Sequence, residues 1–195
     1  MTRKADVNRK TKETNITMSF HVDGSGVGEV DTGIGFFNHM LEGFARHGFF
    51  DLSLRVNGDL EVDGHHTVED TGIVLGTAIR EAIGNKAGIK RYGSSILPMD
   101  DALCLCAVDL CGRPYFAYQC DFPVERVGEL DTELVREFFY AISYSAGMNL
   151  HIKMLDGCNA HHMIEAMFKA FGRALDEATS FDERIKGVLS TKGAL

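Results

Sequence analysis

One six-residue signature occurs twice in this chain. Gly64-His65-His66-Thr67-Val68-Glu69 in the first half resembles Ala160-His161-His162-Met163-Ile164-Glu165 in the second. Paired histidines are uncommon, and their recurrence with a glutamate at the same offset points to an internal duplication. The order of elements supports it. Thr14–Val22 alternates as a strand, a second short strand ends near Asp31, and Phe36, Phe37, Met40, Leu41 and Phe44 recur at helical spacing. Phe50–Val56 again reads as a strand, and a helix beginning at His65 stops near Gly84. After residue 101 the same order returns: strands at Ala102–Leu110 and Tyr115–Cys120, a helix at Thr132–Ala146, a strand at Leu150–Leu155 and a helix at His161–Ala178. Asp31-Thr32 recurs as Asp131-Thr132, and Gly48 and Leu52 resemble Gly147 and Leu150. The expectation is an α+β protein: one domain, 1–195, of two similar units at about 10–95 and 96–182, with a tail at 183–195. Each unit would be a small β-sheet covered by two helices.

Charge and composition narrow the function. A net charge of −8 argues against nucleic-acid binding over the surface as a whole, though not against a small basic pocket for a phosphorylated metabolite. No apolar run is long enough to cross a bilayer, and the polar start MTRKADVNRK has no apolar signal core, so a cytoplasmic location is expected. Five cysteines without a Cys-x-x-Cys pair fit neither a disulfide framework nor a thiolate zinc site; Cys104 and Cys106 alternate along a strand as small buried apolar residues.

The histidines carry the chemistry. Where each pair opens a helix, His65 shares a face with Glu69 and His161 with Glu165. Adjacent histidines diverge by about 100° around a helix axis, so one pair serves two ions better than one. The two signatures supply four imidazoles and two carboxylates; His39 and His151 bring the set to eight, four ligands for each of two metals. Imidazole with carboxylate suits Mn, Fe, Zn, Ni or Co, and residue types alone do not choose among them. His21 reads as an ordinary core or surface residue, and His47 as either a substrate contact or a helix-end residue. Asp70, next to Glu69, could orient a ligand or simply favour the helix N-terminus.

These motifs resemble the two signatures of the imidazoleglycerol-phosphate dehydratase family. The likeness runs over nearly the whole chain, through Arg9, Thr11-Lys12-Glu13-Thr14, Thr32-Gly33-Ile34-Gly35-Phe36-Phe37-Asn38-His39-Met40-Leu41, Arg91-Tyr92-Gly93, Pro98-Met99-Asp100, Asp109-Leu110-Cys111-Gly112-Arg113-Pro114 and Ser190-Thr191-Lys192-Gly193. Cys111, where serine is more usual, is a departure without an evident catalytic role. The resemblance implies a fold similar to the second domain of ribosomal protein S5. It also implies two Mn(2+) per subunit, held by His39, His65, His66, Glu69, His151, His161, His162 and Glu165. Further, it implies 24 subunits with active sites completed across subunit boundaries.

The implied reaction dehydrates imidazoleglycerol phosphate to imidazole acetol phosphate in histidine biosynthesis. The carbon that loses its proton has no neighbouring carbonyl, so the imidazole ring must supply the electrons that expel the hydroxyl. His39, His47, His65, His66, Glu69 and His161 would face the substrate. Glu13 is the leading acid–base group by resemblance; Asp100 and a metal-bound hydroxide are alternatives. Arg91 and Arg113, in glycine-flanked loops, would bind phosphate with Lys169, Ser190, Thr191 and Lys192. Two other functions use the same ligands. A dinuclear phosphatase would activate water at them, although no Asp-x-Asp motif accompanies them here; a metal-binding shell protein would need none of Arg91, Arg113 and Glu13.

Overall fold

The structure, a computed structural model, describes residues 3–193. Its first half runs β1 (Lys4–Lys10), β2 (Thr14–His21), β3 (Gly28–Asp31), α1 (Gly35–Gly48), β4 (Asp51–Gly58) and α2 (His65–Ile83). The second runs β5 (Tyr92–Met99), β6 (Ala102–Asp109), β7 (Tyr115–Gln119), the hairpin β8 (Arg126–Val127) and β9 (Leu130–Asp131), then α3 (Glu133–Ala146), β10 (Asn149–Asp156) and α4 (Ala160–Thr179). The two four-stranded sheets are wired alike, in the orders β1-β2-β4-β3 and β5-β6-β10-β7. In both, the third strand pairs parallel with the strand that follows the first helix, and every other pairing is antiparallel. The β8–β9 hairpin is an insertion peculiar to the second half.

One sequence expectation needs correcting. Each unit begins with a strand that the periodicity did not show, so the junction lies before Tyr92; a boundary at 95/96 would cut β5. Both strands lie at the edges of their sheets. Only Ala5 is buried in β1, and Pro98 sits in β5, so neither shows the alternation of a central strand.

Inner and outer sheet faces follow the pleat. Ile16, Met18 and Phe20 of β2 and Leu52, Leu54 and Val56 of β4 point inward, as do Cys104, Cys106 and Val108 of β6 and Leu150 and Ile152 of β10. The helices fill the space between the two sheets. Helix α2 packs on β1 and β2, α4 on β5 and β6, and the halves meet through the pairs α1–α4 and α2–α3. Phenylalanines weld the layers: Phe44 stacks on Phe171 at 5.2 Å, and Phe138 on Phe168 at 5.1 Å.

Those two helix crossings are copies of one another, and each needs a glycine. A Cβ on Gly172 of α4 would lie 2.7 Å from the Phe44 carbonyl oxygen and 3.2 Å from the Gly48 nitrogen of α1. A Cβ on Gly76 of α2 would lie 2.7 Å from the Ile142 carbonyl oxygen and 3.0 Å from the Ala146 nitrogen of α3. Gly76 matches Gly172 just as Ile142 and Ala146 match Phe44 and Gly48, so an internal two-fold relates the halves.

Candidate metal centre

Helix starts set out the ligands. The Asn159 side chain caps α4, accepting from the His161 and His162 backbone N–H groups at 3.0 and 3.4 Å. At α2 the Asp63 carboxylate accepts from the His65 N–H at 2.8 Å. Both histidine pairs are thereby held in a first helical turn, where their rings diverge by 85° for His65 and His66 and by 77° for His161 and His162.

The α1–α4 crossing brings His39 to the second signature. Donor atoms of His39, His161 and Glu165 all lie within 4.8 Å of one another. Glu165 is central to them, with His161 Nε2 at 3.2 Å from one oxygen and His39 Nε2 at 3.9 Å from the other. Lys169 Nζ reaches Glu165 Oε1 at 2.7 Å. Burial works to raise the Glu165 pKa, but Lys169 and the two imidazoles outweigh it and hold the carboxyl below its ordinary value. Glu165 is therefore a buried carboxylate held in its anionic form, the form able to ligate a cation. The donor set fits a divalent transition ion, with two imidazoles, one carboxylate and no thiolate.

In the first half His65 Nε2 stands 4.0 Å from Glu69 Oε2. The position equivalent to His39 in the second half is Glu137, and among the described residues no third ligating group joins His65 and Glu69 as His39 joins His161 and Glu165. Contacts on either side fix this alignment: Gly64 approaches Leu134, and Gly72 approaches Phe138 and Ala141. The Glu137 carboxylate lies against Arg136 Nη1 at 2.9 Å, in a solvent-exposed contact.

His151 stands apart from the other candidates within this subunit. It lies on β10 between the inward-pointing Leu150 and Ile152, so it faces out from the second sheet, its ring 5.7 Å from Tyr115. The strand's two-residue period puts it on the face opposite the helices that carry the other ligands. Asp70 also differs from a ligand-orienting role: buried, it bonds Arg9 and Thr14, tying β1 and β2 to α2.

His66 and His162 turn away from these groups toward other acids. His66 Nδ1 meets Asp59 at 3.0 Å and its Nε2 lies 3.9 Å from Glu13; His162 Nδ1 meets Asp101 at 2.6 Å and its Nε2 lies 3.4 Å from Asp100. Glu13 ends the β1–β2 turn and Asp100 opens the β5–β6 turn, so both sequence-predicted acid–base residues stand at matching hairpins. The bonds to Asp59 and Asp101 hold the two imidazoles above the ordinary histidine pKa.

His47, in the last turn of α1, sits in the field of Lys169, Arg173 and Glu165. Burial, then the Lys169 and Arg173 cations, depress its pKa despite the helix C-terminus. The unfolded chain takes up this proton more readily than the folded one. The stability due to neutral His47 is thus complete above the ordinary value of 6.5 and is lost as pH falls through the folded value. His47→Gln is expected to flatten the acid-side decline of the thermal midpoint below about pH 6.5. An unchanged slope in melts of the two proteins would show that other groups govern it.

The phosphate candidates gather elsewhere in the subunit. Arg91, Arg113, Ser190, Thr191 and Lys192 line a cavity of about 730 Å³, and Arg184 and Lys186, unforeseen from sequence, add two more cations. Arg91 is largely committed: Nε and Nη2 donate to Asp109 at 2.7 and 3.1 Å, and Nη1 donates to the Leu189 carbonyl at 2.8 Å. It pins the tail in place, and the free charge comes from Arg113, Lys186 and Lys192, for which no ion pair forms among the described residues.

A buried carboxylate flanked by two imidazoles, accompanied by a cationic cavity, fits the class of enzymes that act on an anionic small molecule with the help of a metal ion. Comparison with known proteins makes the class specific. The profile of imidazoleglycerol-phosphate dehydratase matches residues 32–175. The imidazoleglycerol-phosphate dehydratases of Lachnoclostridium phytofermentans and Acetivibrio thermocellus are 64% and 60% identical over 195 residues, covering all of this chain and all of each relative. The crystal structure of the Staphylococcus aureus imidazoleglycerol-phosphate dehydratase superposes with a TM-score of 0.83 at 39% identity, covering 92% of this chain and 99% of that one. The Pyrococcus furiosus enzyme, crystallised with (S)-C348, gives 0.83 at 38%, covering 97% and 100%. The chain belongs to the imidazoleglycerol-phosphate dehydratase family, lyases of histidine biosynthesis.

Proposed function

We propose that this chain dehydrates imidazoleglycerol phosphate to imidazole acetol phosphate at two Mn(2+) ions per subunit, in the cytoplasm, within an assembly of 24 subunits. The observation that carries the metal reading is the convergence of His39, His161 and Glu165 donor atoms within 4.8 Å. One ion would be held by these three residues and the other by His65 and Glu69, with His151, which faces out from its sheet, as a ligand toward a neighbouring subunit. His66 and His162, directed away from these groups, would complete the centres of neighbouring subunits. The bound ions supply positive charge at the substrate ring and so favour loss of the hydroxyl.

The chain's own groups do the rest. Glu13 moves the proton, with Asp100 at the equivalent hairpin as the alternative. His47, kept neutral near pH 7 by its surroundings, contacts the substrate without adding charge. Arg113, Ser190, Thr191 and Lys192 bind the phosphate, and Arg91 holds the tail that carries three of them. Lys169 lies beside Glu165 and balances its charge.

Metal-stripped protein is expected to be inactive and to regain imidazole acetol phosphate formation on addition of Mn(2+). Absence of product from protein carrying two Mn(2+) per chain would overturn the assignment. The subunit-bridging ligands further predict that stripping reduces the mass measured by light scattering.

A further inference from the structure

Duplication copies contacts along with elements, so a contact reached by different routes in the two halves was built twice. His66 and His162 are counterparts, and each turns Nδ1 to an aspartate. The aspartates, however, are not counterparts. Asp59 follows β4, where the second half has Gly157 after β10; Asp101 precedes β6, where the first half has Glu13 before β2. Each aspartate is itself braced. The Asp59 backbone N–H donates to the Glu13 carbonyl at 3.1 Å, and its carbonyl accepts from Val62 at 2.9 Å. Asp101 Oδ2 accepts from the Cys158 and Asn159 N–H groups at 2.7 and 2.9 Å, tying the β5–β6 turn to the start of α4.

We infer that Asp59 and Asp101 are positioning residues that fix the Nδ1–H tautomer of His66 and His162 and leave Nε2 of each as the metal-donor nitrogen. A carboxylate on the far nitrogen orients the ring and makes Nε2 a stronger donor, and such partners commonly change metal affinity by about 10–100-fold. The same arrangement accounts for where the free nitrogens point: each Nε2 faces the hairpin acid of its own half, Glu13 or Asp100.

The inference rests on the metal reading above, and Mn(2+) titration of the intact protein followed by electron paramagnetic resonance separates the two. Asp59→Ala is the cleaner variant, because the Asp59 carboxylate bonds only His66 among the described residues. Wild type is expected to bind two ions per chain, and Asp59→Ala to bind one of them about 10–100-fold more weakly. Asp59→Asn, which keeps an acceptor for Nδ1–H, should recover much of that loss, and Asp101→Asn should weaken one ion in the same way. The metal-free melting midpoint of Asp59→Ala should match wild type. Wild type without Mn(2+) binding would overturn the metal reading itself. Unchanged affinities in Asp59→Ala beside a two-ion wild type, or equal weakening of both ions with a lowered metal-free midpoint, would overturn only the positioning role.

Discussion

Glu165→Gln is expected to bind one Mn(2+) per chain in place of two and to lose more than about 100-fold in turnover, beyond the usual effect of an outer partner. The carboxylate is 8% exposed and supplies one oxygen toward His39 and the other toward His161. Glutamine keeps the shape and removes the charge that an ion between two neutral imidazoles requires. Because the change also strands Lys169, whose ammonium lies 2.7 Å from Glu165, Lys169→Ala is the necessary companion. That variant should keep both ions. Metal content by atomic emission decides the matter: two ions in Glu165→Gln would remove Glu165 from the ligand set.

The second large effect concerns architecture. Gly172→Ala is expected to cost about 1–3 kcal/mol, as overpacking does, because the new methyl meets the Phe44 carbonyl oxygen at 2.7 Å and both partners are helix backbone. Neither can swing aside as a side chain would, so α4 must move off α1. His39 rides on α1 and Glu165 on α4, and the same variant should therefore also weaken Mn(2+) binding. Gly76→Ala tests the copy of this crossing between α2 and α3. Gly43, inside α1 with nothing within 4 Å of its would-be Cβ, provides the contrast: alanine there should stabilise by up to about 1 kcal/mol through helix propensity. Denaturant melts that rank the three variants otherwise would refute the packing argument.

The duplication was legible in the sequence because the chemistry keeps rare letters: His-His with a glutamate one turn on has few structural uses. Helices α1 to α4 and the central strands showed themselves through apolar period, since each buries one face against the other layer. Strands β1 and β5 did not, because an edge strand with one or two inward residues writes almost no period. The His39 triad was legible only as a list of residue types; that α1 lies on α4 is a tertiary fact. The outward placement of His151 was hidden for the same reason, a lone histidine on an apolar strand giving no hint of which sheet face it occupies. The tail cavity was foreseen through Arg91, Arg113 and Ser190-Thr191-Lys192, but the spending of Arg91 on Asp109 and Leu189 depends on contacts far apart in sequence.

The His39, His161 and Glu165 triad draws on both halves, α1 of the first with α4 of the second. A chain of half this length could assemble such a site only by pairing with a second copy of itself, and that pair would hold two identical sites. Fusing the copies freed them from sharing one genotype. One position can then be an imidazole, at His39, while its twin is a carboxylate, at Glu137, so that the two crossings need not carry the same groups.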